Sequence, residues 1–178
     1  MNPSHCPPKK IPEEDARDRV SSVRYYNAKG ELHREDGPAV EEADGTKKWY
    51  RNGELHREDG PAIEWASRTK EWWVDGKRDR KDGPAVECAD GYRAWFRNGE
   101  YHREDGPAIE WEDGSVWWYR HGERHREDGP AVEEADGTKE YWLSGKQLTE
   151  EEFRALHPEA FASSPGEKKR KAKTPGIG

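Results

Sequence analysis

Residues 49–63 read WYRNGELHREDGPAI, and this pattern returns every 23 residues. Asp-Gly-Pro-Ala begins at Asp36, Asp59, Asp82, Asp105 and Asp128. Glycines keep the same step at Gly30, Gly53, Gly76, Gly99, Gly122 and Gly145, and aromatics at Tyr26, Trp49, Trp72, Trp95, Trp118 and Tyr141. Three markers in phase define one small unit stacked in a row, each copy contacting chiefly its neighbours.

Turn chemistry sets the secondary structure of that unit. Asp-Gly or Asn-Gly between short extended runs signals a two-residue hairpin turn, because both central residues need positive φ. One such turn is expected at Asp44-Gly45, Asp90-Gly91, Asp113-Gly114 and Asp136-Gly137, and another at Asn52-Gly53, Asp75-Gly76 and Asn98-Gly99. The first sets Val40 opposite Trp49, Ile63 opposite Trp72, Val86 opposite Trp95 and Ile109 opposite Trp118, each an aromatic–β-branched pair. It also sets Glu42 against Lys47 and Glu134 against Lys139, but leaves like charges facing at Glu64–Glu71 and Glu133–Glu140. Ser67-Arg68 replaces Asp-Gly in the second copy and predicts a different turn there. The second turn pairs Arg51 with Glu54, Arg97 with Glu100 and Arg120 with Glu123, and lays His56, His102 and His125 beside Trp49, Trp95 and Trp118. Proline has no N–H to give a ladder, so each Asp-Gly-Pro marks a strand start.

The expected fold is therefore all-β: an antiparallel hairpin-repeat meander over residues 23–148, forming one elongated twisted sheet. Side chains alternate along a strand, so neighbours such as Trp49 and Tyr50 put rings on both faces. Even copies carry an extra tryptophan, Trp65 and Trp111, where odd copies have Glu42, Cys88 and Glu134. Residues 1–22, with four prolines and no periodicity, are expected to be a disordered leader. Leu148, Thr149, Glu152 and Phe153 fit a hydrophobic staple around a capping box. A capping helix is thus expected within 149–161, stopping before Pro158 and covering the last hairpin. Residues 162–178 form a basic low-complexity tail, also expected to be disordered.

Only 30% of the residues are hydrophobic and 39% are charged, too little apolar material for a thick aliphatic core. Nine Trp and seven Tyr, most of them at fixed repeat positions, supply large buried areas instead. The net charge of −7 divides unevenly: residues 1–24 carry +1 and 162–178 carry +4, leaving −12 for residues 25–161 by subtraction. An acidic body repels phosphate backbones and anionic membranes, so nucleic acid is expected only at the basic tail and no membrane partner is expected. No apolar stretch approaches 18 residues, and the N-terminus lacks the apolar core of a signal peptide. Cys6 and Cys88 lie in unlike contexts and predict no disulfide framework. A cytoplasmic location is expected.

The segments NGELH at 52–56, NGEYH at 98–102 and HGERH at 121–125, with ADG at 43–45, 89–91 and 135–137, carry a resemblance. Over about residues 24–148 the chain resembles the MORN repeat family, most of all its degenerate bacterial and bacteriophage variants. The HREDGPA form followed by GKQLTEEEF at 145–153 is similar to phage-type proteins. The resemblance implies a hairpin array used for scaffolding or protein binding and implies no reaction.

The recurring polar group is His-Arg-x-Asp: His33, Arg34 and Asp36; His56, Arg57 and Asp59; His102, Arg103 and Asp105; His125, Arg126 and Asp128. The third copy has Asp79, Arg80 and Asp82, and every copy adds a glutamate at Glu41, Glu64, Glu87, Glu110 or Glu133. Arginine and carboxylates at this spacing point to a bidentate clasp that fixes the loop between hairpins. The competing reading is a basic ladder facing a ligand. One histidine per copy and no Cys-x-x-Cys give no converging ligand set, so neither metal nor cofactor is expected. No serine or cysteine recurs beside a histidine, so no nucleophile is expected either. Trp65 and Trp111 are expected to be exposed and could stack on a ligand. The expected function is a non-catalytic protein-interaction module: a scaffold, an immunity protein or a phage-type inhibitor whose partner is another protein. The alternative is a carbohydrate- or small anionic ligand-binding repeat protein.

Overall fold

The computed structural model describes residues 22–162. The expected leader short of residue 22, and the basic tail beyond residue 162, lie outside the described residues.

Each copy builds an inner and an outer hairpin. In the copy containing Trp49, strands Val40–Glu41 and Lys47–Lys48 form the inner pair, and Tyr50–Arg51 and Glu54–Leu55 the outer pair. The inner strands of all copies join in chain order into a 12-stranded antiparallel sheet, from Val23–Arg24 to Lys146–Leu148. The expected hairpin meander is present, but it is not one uninterrupted sheet, because the chain turns aside at Trp49. That residue's N–H donates to the Ala62 carbonyl at 2.8 Å, and its own carbonyl accepts from His56 N–H at 3.1 Å. The outer hairpins then stack as a second row. Arg57 N–H donates to the Trp73 carbonyl and Gly76 N–H to the Leu55 carbonyl, each at 3.0 Å.

The core runs along the inner sheet. Ala39, Ala62, Ala85, Ala108 and Ala131 are fully buried, each offering its carbonyl to the preceding copy's aromatic N–H. The β-branched residue after each alanine, from Val40 to Val132, is buried as well. Between the two rows, Phe96 and Ala94 pack with Val86 and Ala85, and Trp72, Tyr92 and Tyr101 close around them.

The outer turns are the two-residue kind expected from sequence. Asn52 and Gly53 both have positive φ, +51° and +84°, and Arg51 faces Glu54. The inner turns are not. Only Gly45 is left-handed there, at +89°, and Glu42 N–H donates to the Thr46 carbonyl at 2.8 Å, which closes a three-residue loop. The cause is the aspartate: Asp44 Oδ1 accepts from Thr46 N–H at 2.8 Å, and Asp90, Asp113 and Asp136 repeat the bond. One extra loop residue shifts the register by one. Val40 therefore faces Lys48 rather than Trp49, and Ile63, Val86 and Ile109 face Glu71, Ala94 and Trp117. The shift removes the like-charge conflicts, since Glu64 now faces Lys70 and Glu133 faces Lys139. Ser67-Arg68 does not change the turn: Arg68 itself takes the left-handed position at φ +68°, and Ser67 Oγ replaces the aspartate oxygen.

The first copy is one residue out of phase. Its hairpin has a three-residue loop held by Asn27 Oδ1, so Tyr25, not Tyr26, occupies the ring position equivalent to Trp49. At the other end α1, Glu150–Leu156, begins on a complete capping box between Thr149 and Glu152. Its Phe153 is fully buried against Tyr141, with ring centroids 4.9 Å apart. A single turn, α2, follows at Glu159–Ala162. Cys88 is disulfide-bonded, where no disulfide framework was expected.

Candidate interaction surface

The loop between hairpins is built around arginine. Arg103 Nε donates to Asp105 at 3.1 Å, while Nη1 donates to the Pro107 carbonyl at 3.1 Å and to Glu110 at 2.9 Å. Arg34, Arg57 and Arg126 make the same three bonds, and Arg80 keeps the last two. The guanidinium also lies over the aromatic eight or nine positions earlier. Its carbon is 4.2 Å from the Tyr25 ring centre in the first copy, 4.1 Å from Trp49, 3.7 Å from Trp72, 4.0 Å from Trp95 and 3.8 Å from Trp118. The glycine of Asp-Gly-Pro closes its other face. A Cβ built on Gly106 would stand 2.9 Å from Arg103 Cζ, so any other residue there would displace the guanidinium. Ring, guanidinium and glycine form a layered clasp, of which sequence suggested the carboxylates but not the ring.

The histidines do a different job. His33, His56, His102 and His125 each accept, through Nδ1, the N–H of the first turn residue in the next copy, at 3.0–3.2 Å. Asp79 does the same for Asn98 at 2.7 Å, which explains why aspartate can stand for histidine in the third copy. The other ring nitrogen, Nε2, is turned toward Glu35, Glu58, Glu104 and Glu127 at 3.4–3.8 Å, and His56 Nδ1 also lies 2.9 Å from the Asp75 carboxylate.

The carboxylates are what this edge presents. Side chains of Glu35, Glu58, Glu104 and Glu127, with Asp36, Asp59, Asp105 and Asp128, are 65–90% exposed. Arg34 and Arg57 hold the carboxyls of Asp36 and Asp59 below their ordinary value, chiefly by hydrogen bonding. Copies that add two inner strands each set these positions about 10 Å apart; four copies carry the acidic pair, and the central one carries Lys81 beside Asp82.

The inner face carries a second set of rings. Trp65 is 38% exposed; its indole N–H donates to Glu71 at 2.9 Å, and Lys48 lies over its ring at 5.4 Å. Trp111 is not exposed as expected but half-buried, edge-on to Trp117 at 4.7 Å and to Tyr92 at 5.8 Å. Burial pushes the Tyr92 hydroxyl far above the usual phenol value, so it stays neutral. Asp90, Tyr92, Trp111, Glu112 and Asp113 line an open groove of about 380 Å³. Sequence reading missed Tyr92, Phe96 and Tyr101 here. The signal for Phe96 and Tyr101 was their place flanking Asn98-Gly99, since Phe96 faces Tyr101 across that turn.

Among the described residues no three His, Cys, Asp or Glu side chains converge in the manner of a metal site, and no helix is long and apolar enough to cross a membrane. No protein family and no curated protein matches the chain.

Proposed function

We propose that the chain is a non-catalytic protein-interaction module, a scaffold or inhibitor of the MORN-like kind that its repeat segments resemble. One observation carries the reading. The arginines and histidines that could have faced a ligand are spent on the fold, while the exposed edge carries a carboxylate pair in four of the five copies, the central copy having Lys81 beside Asp82. That surface suits an elongated, positively charged protein partner better than a small molecule. The competing reading, binding of a carbohydrate or small anion, would need open basic donors or bare rings. The arginines are held on three sides, and of the two extra tryptophans only Trp65 is exposed. The cytoplasmic expectation rested in part on unpaired thiols, and the disulfide at Cys88 removes that support. Thiol titration of the natively expressed protein tests the disulfide.

The partner surface is tested with Glu35, Glu58, Glu104 and Glu127 changed together to Gln. Partners captured from the native host should be retained by the parent chain at low salt and released at high salt. The quadruple variant should lose them with an unchanged Tm. Equal capture by parent and variant would overturn the acidic edge as the contact.

A further inference from the structure

Rings and carboxylates meet at several places in this molecule, and nearly every meeting holds a cation from the chain itself. On the outer edge these are the five clasps. On the inner face, Arg78 lies over Trp73 and Phe96, at 5.0 and 5.4 Å, and bonds Glu71 at 3.0 Å. Arg124 lies over Trp117 and Trp142, at 4.5 and 5.0 Å, and bonds Glu140 at 3.1 Å. Lys48 lies over Trp65 and reaches Glu42 at 3.4 Å.

The groove beside Trp111 breaks the pattern. Two rings, Tyr92 and Trp111, meet there at 64° with centroids 5.8 Å apart, and three carboxylates, Asp90, Glu112 and Asp113, stand at the rim. No Lys or Arg lines it. Asp90 and Asp113 each accept a backbone N–H of their own turn through one oxygen. The repeat explains the difference. Trp111 lies 46 residues after Trp65, and the position 46 residues after Lys48 is Ala94, a buried methyl that reaches nothing outside the core. The acid positions of the Trp65 site, Glu42 and Glu71, become Cys88 and Trp117 here, and the carboxylates come instead from the neighbouring turns as Asp90, Glu112 and Asp113, with no ammonium among them.

We propose that the groove formed by Tyr92, Trp111, Asp90, Glu112 and Asp113 binds a lysine or arginine side chain from a basic segment of a partner protein. The proposal rests on the interaction-module reading and names the chemistry of its partner. A cation there would meet two rings and a three-carboxylate rim on a body of net charge −12, so π attraction and Coulomb attraction act together. An anion is repelled by the same rim, and a neutral sugar leaves the carboxylates unpaired.

The test is titration of the full-length protein with a tetralysine peptide, read by tryptophan fluorescence and calorimetry, with tetra-aspartate as control. Tetralysine should change the fluorescence and bind more weakly as salt rises; tetra-aspartate should do neither. Glu112→Gln with Asp113→Asn, which keeps the turn-capping oxygen at Asp113, should weaken binding at least tenfold at unchanged Tm. Trp111→Leu, which keeps apolar bulk without the π face, should do the same. The quadruple Gln variant of the opposite edge should bind tetralysine at this groove as the parent does. Binding lost in that variant but kept in the groove variants would overturn the groove while leaving the acidic edge as the contact. No tetralysine binding by the parent would overturn the groove, and host capture would still decide the wider reading. Gln replacement of Lys168, Lys169, Arg170 and Lys171 in the full chain addresses its own basic segment: a tenfold gain in affinity would assign the groove to that segment and overturn the partner.

Discussion

Arg103 shows how one side chain does the work of a loop. Its guanidinium stacks on Trp95, bonds two carboxylates and a carbonyl, and presses on Gly106. Arg103→Lys keeps the charge but loses the planar fork and should cost about 1–2 kcal/mol in a denaturant titration. Gly106→Ala should cost a similar amount by displacing the guanidinium; unchanged midpoints in both would refute the clasp. Acid offers a second probe. Asp36 and Asp59 have folded values held below the ordinary 3.8, so their contribution is present above that value and disappears as pH falls through the lower folded one. Tm should drop across that window below pH 4, and the drop should be shallower in Asp59→Asn. The histidine role was not legible from sequence, because its partner is a backbone N–H 19 residues away that becomes a neighbour only when copies stack. His102→Asp should therefore melt close to the parent, as Asp79 already serves at that position, whereas His102→Leu should lose about 1 kcal/mol.

At the scale of elements, turn type decided more than strand propensity. The outer turns were legible because Asn-Gly supplies two residues tolerant of positive φ. The inner turns were misread because Asp-Gly serves two loops: a two-residue turn with both residues left-handed, or a three-residue loop in which aspartate caps and only glycine is left-handed. The charges held the answer. Only the longer loop sets Glu64 against Lys70 and Glu133 against Lys139. Arg68 occupies the glycine position of that loop at φ +68°, where a side chain costs about 1–2 kcal/mol. Arg68→Gly should accordingly raise stability by about 1 kcal/mol, the residual after the added unfolded-state freedom; a lower Tm would show that the Arg68 side chain makes compensating contacts. The terminal helix was legible from its capping box. What it covers was legible only in part: Phe153 seals the Tyr141 ring, where earlier copies use an arginine. Phe153→Ala should cost about 3–5 kcal/mol and speed hydrogen exchange in Lys139–Leu143 before it does so elsewhere.

Over the whole molecule, stability is a sum of like units and their interfaces, so position along the array matters as much as residue type. Trp95 sits mid-array with a clasp on one face and a backbone bond to the next copy, and Trp95→Ala should cost about 3 kcal/mol. Trp65 is partly exposed and bound by a single hydrogen bond and one lysine, and Trp65→Ala should cost about 1 kcal/mol. Equal losses would contradict the assignment of the two sets of rings. The sequence by itself determined the repeat length, the all-β hairpin class, the outer turns and the capping helix. Each of those depends on residues a few positions apart, whose local preferences are the same in any copy. Tertiary structure alone decided the inner register, the break of each long hairpin at its tryptophan, the ring beneath each arginine and the groove at Trp111. Those depend on how copies lie against one another: which oxygen reaches a neighbour's N–H, which methyl stands where a lysine stood two copies earlier, and how much room a glycine leaves.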